Sequence, residues 1–423
     1  MNINKKTWQF IREHAEEDVR RVALKGEKDA EVDLTMALQQ IAGRQTARRK
    51  LPSWAAVEGI VYPPHLNMEQ CSSEQTARYK AGLVEDDRLW TTGDDMSFVD
   101  LTGGFGVDFY WMAKAIASLP SPAIRHLTYI ERNEALCAIS THNFRLLGLD
   151  CSVCCCDMIT YLTNMPHVNL IYLDPARRNE HGGRTYGIED CSPNVLELLP
   201  ILMSKADRVM LKLSPMLDWR KAVEDLQRAS SIVQEIHIVS VANECKELLV
   251  VLSKEQADGL RVVCVNGASS FDFFPNLGIN FSQFGNKTFP TWEYSASLKL
   301  ADSPLYLYEP NASIMKAGCF TELETRFAVQ QIAPNSHLFL SPDEIGNFPG
   351  RRFQILSISS MNKQELSTAL KKTERANVSV RNFPLSADKL RKKLKLKDGG
   401  DTFLFATTMA NGAHQLFICR KIG

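Results

Sequence analysis

Phe98-Val99-Asp100-Leu101-Thr102-Gly103-Gly104-Phe105-Gly106 is the stretch on which the reading of this chain turns. Residues 97–101 are a short, largely apolar run and read as a buried strand. The glycines that follow let bare backbone approach a ligand, and residues 107–117 continue as a helix whose N-terminus carries partial positive charge. Alone, the loop fits several kinds of nucleotide-binding fold, and also a tight strand-to-helix turn with no ligand.

The downstream spacing narrows the choice. Residues 126–130 read as a second strand ending at Glu131, where a carboxylate can accept both hydroxyls of a ribose. Residues 151–156 form a third strand ending at Asp157, suited to an adenine amino group. Residues 170–173 form a fourth that runs into Asp174-Pro175. Helical patterns at 134–147, 193–204 and 219–229 alternate with a fifth strand at 208–213. Pro193 falls at an early helical position, where its missing N–H is harmless. Strands at 234–241 and 247–252 are joined too tightly for a helical crossover and should pair antiparallel. The alternation predicts an α/β domain over 86–268, a parallel sheet with helices on both faces. Ligands in such sheets bind outside the carboxyl ends of the strands, so the loop and the acids after it face one crevice.

The chain has 423 residues, roughly three domains at ~150 residues each. Residues 1–85 read as mainly helical: Trp8, Ile11 and Val19, then Val32, Leu34, Leu38 and Ile41, recur between charged residues. Ser72 with Gln75 gives a capping-box start to a further helix. Residues 269–347 are rich in turns and aromatics (Phe271, Phe273, Phe274, Phe281, Phe284, Phe289, Trp292, Tyr294). In 348–423, strands at 353–358, 378–383, 402–408 and 415–419 alternate with helices at 363–372 and 386–396. Hydrophobic residues at 44% and charged residues at 23% exclude a disordered chain, a collagen-like repeat and a long coiled coil. Lys plus Arg and Asp plus Glu both total 49, which excludes a globally basic or acidic protein and leaves room for a local basic face. The N-terminus lacks the apolar stretch of a signal peptide, and no run reaches the ~18 apolar residues of a membrane helix. The 11 cysteines read as thiols. The expectation is a cytoplasmic protein with no membrane association.

Over about residues 86–254 the sequence resembles the class I S-adenosylmethionine-dependent methyltransferases, and more narrowly the nucleic-acid amino-methyltransferases. The resemblance implies a Rossmann-like sheet and S-adenosylmethionine as cofactor, with Asp100, Thr102, Gly103, Gly104 and Gly106 around it, Glu131 on its ribose and Asp157 on its adenine. Asp174-Pro175-Ala176-Arg177 resembles a variant of the family's Asp/Asn-Pro-Pro-aromatic motif, which implies catalytic roles for Asp174, Pro175 and Arg177. The whole chain resembles a bacterial group with an N-terminal helical region (1–85), a small ferredoxin-like domain with its linker (269–347) and a C-terminal THUMP-like α+β domain (348–423). Ser72-Ser73-Glu74-Gln75-Thr76-Ala77, Asp174-Pro175-Ala176-Arg177-Arg178, Glu189-Asp190-Cys191-Ser192-Pro193 and Tyr308-Glu309-Pro310-Asn311 match its signature stretches. THUMP-like domains accompany RNA-modifying enzymes, which implies RNA as partner.

The family's second proline and aromatic are Ala176 and Arg177 here. Arg177 has a guanidinium plane that can stack on a base, and with Arg178 it can clamp a phosphate; structural ion pairs are the alternative. The helix at 386–396 carries Lys389, Arg391, Lys392, Lys393, Lys395 and Lys397, with Leu390, Leu394 and Leu396 interleaved. That is a phosphate-binding face or a solvated one. Cys151, Cys154, Cys155 and Cys156 have a C-x-x-C spacing but no second pair to complete a zinc site, and no metal is expected. Cys191 is a candidate nucleophile or simply a loop residue before Pro193. Gly104-Phe105-Gly106-Val107-Asp108-Phe109 lacks the third glycine of the dinucleotide fingerprint, which argues against an NAD-dependent oxidoreductase. The combined expectation is an S-adenosylmethionine-dependent RNA methyltransferase acting at an exocyclic base nitrogen, without metal or covalent intermediate. Its alternative is an RNA-binding protein that retains an inactive methyltransferase fold.

Overall fold

The computed structural model describes residues 3–26, 29–85, 90, 95–120, 124–177, 187–229, 232–254, 259–275, 304–371 and 373–423. The chain divides into two compact units, Met1–Val241 with Lys246–Leu260, and Ala242–Cys245 with Arg261–Gly423.

The first unit opens with α1 (Lys5–Glu13), α2 (Val19–Lys25), α3 (Leu34–Lys50), α4 (Pro52–Ala55), α5 (His65–Gln70) and α6 (Glu74–Val84). Asn4, Asp18, Asp33 and Ser73 cap α1, α2, α3 and α6 by accepting an otherwise unpaired helix N–H. The cap of α6 is therefore Ser73, not the expected Ser72. Ser73 Oγ accepts from the Thr76 N–H at 3.2 Å, while the Ser72 hydroxyl donates to Asp108 at 2.7 Å. These helices are no separate body: Trp54, Ala77 and Val84 share one buried cluster with Phe98, Phe109 and Tyr129. Trp54 meets the Phe105 and Tyr110 rings edge-on at 5.2 and 5.5 Å.

The α/β part follows: β1 (Met96–Asp100), α7 (Val107–Ser118), β2 (Arg125–Glu131), α8 (Glu134–Leu146), β3 (Ser152–Cys155), α9 (Met158–Asn164), β4 (Val168–Leu173), β5 (Ala176–Arg177), β6 (Cys191–Ser192), α10 (Val195–Lys205), β7 (Ala206–Leu213), α11 (Trp219–Arg228), β8 (Ile232–Val241) and β9 (Glu244–Ser253). Neighbouring strands run in the order β8-β9-β7-β4-β1-β2-β3. β1, β2, β3, β4 and β7 are mutually parallel, and β9 is antiparallel to β7, as a strand returning from a tight hairpin must be. Asp100 lies opposite Tyr129 of β2 and Tyr172 of β4, at the carboxyl edge. α10 begins at Val195 with Asn194 as its cap, so Pro193 stands before the helix instead of in its first turn.

In the second unit β10 (Arg261–Asn266) and β11 (Ser269–Phe273) form an antiparallel pair. Then come β12 (Tyr306–Pro310), α12 (Ala312–Ala317), α13 (Phe320–Phe327), β13 (Gln330–Gln331), β14 (Phe339–Ser341), β15 (Gly350–Ser359), α14 (Lys363–Ala369), β16 (Asn377–Arg381), α15 (Ala387–Lys393), β17 (Thr402–Thr408) and β18 (His414–Ile422). The strand order is β13-β14-β12-β15-β18-β17-β16. β12 pairs with β15, Tyr306 opposite Gln354, so one sheet continues across residue 348. α15 is shorter than the expected 386–396, and just beyond it Lys395 takes a positive φ of 56°. Of the aromatic run, Phe281, Phe284, Phe289, Trp292 and Tyr294 lie outside the described residues.

Candidate active site

Packing fixes the loop between β1 and α7. A Cβ on Gly103 would stand 2.1 Å from the Tyr129 ring, and one on Gly106 (φ +81°) 2.5 Å from the Phe144 ring. Both rings are fully buried and cannot retreat. Gly104 differs. Its φ of +56° favours glycine, yet a Cβ there would meet nothing nearer than the Thr102 carbonyl oxygen at 3.9 Å. All three line a cavity of about 1290 Å³.

The acids after the strands surround the same cavity. Glu131 ends β2; its Oε2 accepts the Gly104 N–H at 2.9 Å and its Oε1 the Asn133 N–H at 2.8 Å, which ties the loop to the strand end. Asp157 follows β3 and caps α9, its Oδ1 accepting the N–H groups of Ile159 and Thr160 at 3.0 and 3.1 Å. Asp100 is buried, and its Oδ1 accepts the Thr102 N–H at 2.9 Å. Burial pushes the Asp100 carboxyl well above the usual aspartate range; the Thr102 N–H opposes this, and the like charges of Asp108 and Asp174 add to it. The Thr102 hydroxyl oxygen accepts the Asp174 N–H at 2.7 Å, joining the β1 and β4 loops. Asp100, Thr102, Gly103, Gly104, Gly106, Glu131, Asp157, Asp174 and Pro175 thus line one crevice at the carboxyl ends of β1 to β4.

Beneath it lies an ionic cluster that the sequence reading missed. Lys80 of α6 is fully buried and donates to both oxygens of Glu247 at 2.6 and 2.7 Å, with Asp108 at 3.2 Å. Ser72 and Tyr172 hydroxyls donate to Asp108 Oδ2 at 2.7 and 2.8 Å. Lys212 of β7 donates to Asp174 Oδ2 at 2.5 Å and stands 3.7 Å from Asp108. Burial alone would drive Lys212 toward the neutral amine, but Asp174, Asp108 and Glu247 outweigh it and hold its pKa above the ordinary lysine value. The two lysines thus face three carboxylates, those of Asp108, Asp174 and Glu247. The signals were a lysine between Ala77 and Ala81 in α6 and another inside Val209-Met210-Leu211-Lys212-Leu213.

Other residues singled out by the sequence lie elsewhere or are less constrained. The side chain of Arg177 and all of Arg178 lie outside the described residues. Cys191 lines the cavity on β6, paired through its backbone with Arg177. Among the described residues no group of His, Cys, Asp and Glu could hold a metal ion. Burial pushes the Cys151 thiol up to about 11, away from a thiolate ligand. Lys389, Lys392 and Lys393 are exposed on α15 in the second unit, whereas Arg391 bonds Asp388 at 2.8 Å and stands 3.4 Å from Asp398. No described helix is long and apolar enough to cross a membrane.

A parallel sheet ending in an antiparallel β9 between β7 and β8, with a glycine loop after the interior strand β1, defines the class I methyltransferase fold. Over its full length the chain is 30% identical to a solved protein of Porphyromonas gingivalis W83 that is provisionally named a methyltransferase, covering 100% of both chains with a TM-score of 0.78. Residues 306–349 match a ferredoxin-like domain and residues 350–421 a THUMP domain-like family. The chain therefore belongs to the bacterial family of class I methyltransferases that carry an N-terminal helical region and ferredoxin-like and THUMP-like domains. Two more distant structures align over parts of it. One, from Listeria monocytogenes, is provisionally named a class I S-adenosylmethionine-dependent methyltransferase (10% identity, 62% of this chain and 94% of that one, TM-score 0.40). The other, from Pyrococcus horikoshii, is provisionally named an RNA methyltransferase (13%, 48% and 97%, TM-score 0.34). Comparison with curated proteins finds no match.

Proposed function

We propose that the protein transfers a methyl group from S-adenosylmethionine to RNA, at an exocyclic base nitrogen. The observation that carries this reading is the convergence of the bare Gly104 backbone, Glu131, Asp157 and Asp174 on one crevice. A cationic sulfonium ligand suits a crevice lined by these acidic side chains, and the ligand supplies an electrophilic methyl group when bound. In this reading Glu131 accepts the ribose hydroxyls and Asp157 the adenine amino group, while Asp100, Thr102, Gly103 and Gly106 shape the loop around them. Asp174 accepts hydrogens from the substrate amine, freeing the nitrogen lone pair for in-line attack, and Thr102 fixes its backbone. Positioning and electrostatics supply the catalysis.

RNA is supported by the THUMP-like match and by the exposed Lys389, Lys392 and Lys393, beside Arg391, Arg177 and Arg178 as further substrate-binding residues. Pro175 and Arg177 complete the catalytic motif. As segments of the sequence, 1–85, 86–268, 269–347 and 348–423 remain our proposed functional division, although the helices of the first share a core with the second and one sheet joins the last two. Calorimetric titration with S-adenosylmethionine is the test. Wild type should bind, and Glu131→Ala should bind about tenfold or more weakly through lost charged hydrogen bonds. Equal affinity of the two proteins would remove Glu131 from the site, and no binding by wild type would end the reading.

A further inference from the structure

We propose that a pocket in the second unit holds a phosphate of the RNA backbone, an anchor separate from α15 and independent of the base attached. This rests on RNA as the substrate and names a further site for it. The pocket has a volume of about 280 Å³ and lies where β15 begins and β18 ends, beside the turn between β8 and β9. All its lining residues belong to the second unit. Three of them are cations, Arg351, Arg352 and Lys421, and none is acidic. The buried Glu309 of β12 fixes Arg351, whose Nε donates to Oε2 at 2.6 Å, while Arg381 Nη2 donates to Oε1 at 2.7 Å. One carboxylate thus serves two guanidinium groups. Among the described residues Arg352 reaches only the Ile345 carbonyl oxygen at 3.5 Å and Glu344 at 3.9 Å, and the Lys421 ammonium has no partner. The pocket keeps an excess of positive charge.

Three carboxamides on the lining add donors. Asn243 Oδ1 accepts the Ala312 N–H at 2.7 Å, Asn266 Oδ1 the Asn243 N–H at 2.9 Å, and Asn311 Oδ1 an amide N–H of Asn266 at 3.2 Å. Each oxygen is engaged within the protein, while the side-chain amide N–H groups of Asn243 and Asn311 have no acceptor among the described residues. Ala242 and Asn243 hold the turn at positive φ, 50° and 62°, a conformation that alanine rarely adopts. Glu309 and Asn311 belong to the stretch Tyr308-Glu309-Pro310-Asn311, to which methyl transfer assigns no part. A phosphate suits this lining, because it carries full negative charge and its oxygens accept from several directions, two at once from a guanidinium fork. No aromatic ring of the described residues lines the pocket, so a base has nothing to stack on. Contacts of this kind fix the position of a strand without reading its sequence. The volume is at the small end for ligand pockets and admits a phosphate with part of its sugar.

The experiment measures binding of two single-stranded RNA oligonucleotides of different sequence to the full-length protein, by fluorescence anisotropy at several salt concentrations. The variant carries Arg352→Gln and Lys421→Gln, and its melting temperature and S-adenosylmethionine affinity are determined beside those of wild type. It should bind both RNAs about tenfold or more weakly through lost charged hydrogen bonds, with the slope of log affinity against log salt lowered by about 0.7 for the one phosphate released. Lys421→Arg, which keeps the charge, should bind as wild type does. Unchanged affinity and slope in the double variant overturn this inference and leave the RNA methyltransferase reading standing; no RNA binding by wild type overturns both. A loss confined to one of the two sequences gives the pocket to a base and overturns the phosphate. Adenosine monophosphate that raises the melting temperature of wild type and not of the variant, with RNA binding alike in the two, gives it to a free nucleotide and overturns the RNA backbone as occupant. If the double variant fails to fold, Lys421→Gln alone, at an exposed position, decides on the same slope and affinity.

Discussion

Replacing Lys80 by methionine tests how much of the first unit's stability runs through the cluster under the crevice. Lys80 is 0% exposed and its partner Glu247 3% at the side chain, so water does not screen the pair. Methionine fills nearly the same volume, and the loss is therefore electrostatic: Glu247 and one side of Asp108 lose their cation. Removing one partner of a buried pair costs about 3–5 kcal/mol, against about 0–1 kcal/mol for an exposed pair such as Arg228 with Glu224. In a unit of this size that corresponds to a fall in melting temperature of roughly 10 °C. The assay is urea denaturation followed by far-UV circular dichroism, with Lys80→Met compared to the double variant Lys80→Met, Glu247→Leu. The double variant removes the orphaned carboxylate and leaves Asp108 with Ser72, Tyr172 and Lys212, so it should recover most of the loss. A single variant within about 1 kcal/mol of wild type, or a double variant no more stable than the single, would refute the reasoning.

Gly103→Ala should destabilise the fold by about 1–3 kcal/mol through overpacking against Tyr129, whereas Gly104→Val should fold and lose S-adenosylmethionine affinity; calorimetry beside thermal melts separates them, and the reverse pattern would misassign the loop. The raised pKa of Asp100 means its stabilising contribution is full below the ordinary aspartate pKa and fades as pH rises through the folded value. Asp100→Asn should therefore gain melting temperature over wild type as pH goes from about 4 to about 8, and a pH-independent gap would contradict the assignment. Charge reversal of Lys392 and Lys393 should lower the slope of log affinity for RNA against log salt by about one unit for every phosphate that α15 no longer neutralises; an unchanged slope would make α15 a solvated face.

The succession of strands along the chain and the acids at their ends were readable because each depends on local pattern: apolar runs of strand length, glycines, and a carboxylate at the run's end. The cluster below was not. Lys80 looks like one more charge on a helix, and its burial depends on Glu247, 167 residues away. The cap of α6 escapes a local reading for the same reason, since Ser72 and Ser73 are locally equivalent and only the hydrogen bond to Asp108, 36 residues on, distinguishes them. The coupling of the N-terminal helices to the sheet likewise rests on Trp54 meeting Phe105 and Tyr110, a tertiary fact with no periodic signature. α15 falls short of its expected length because the basic repeat continues past the turn at Lys395.

Single-turnover methyl transfer from S-adenosylmethionine to RNA, measured for wild type and Asp174→Ala with cofactor affinity determined on the same samples, tests the central claim most directly. The account predicts transfer by wild type and none above background by the variant, with cofactor and RNA binding largely retained, because Asp174 acts on the accepting nitrogen and not on the cofactor. Full activity of Asp174→Ala, or a wild type that binds both ligands and never yields S-adenosylhomocysteine, would contradict it.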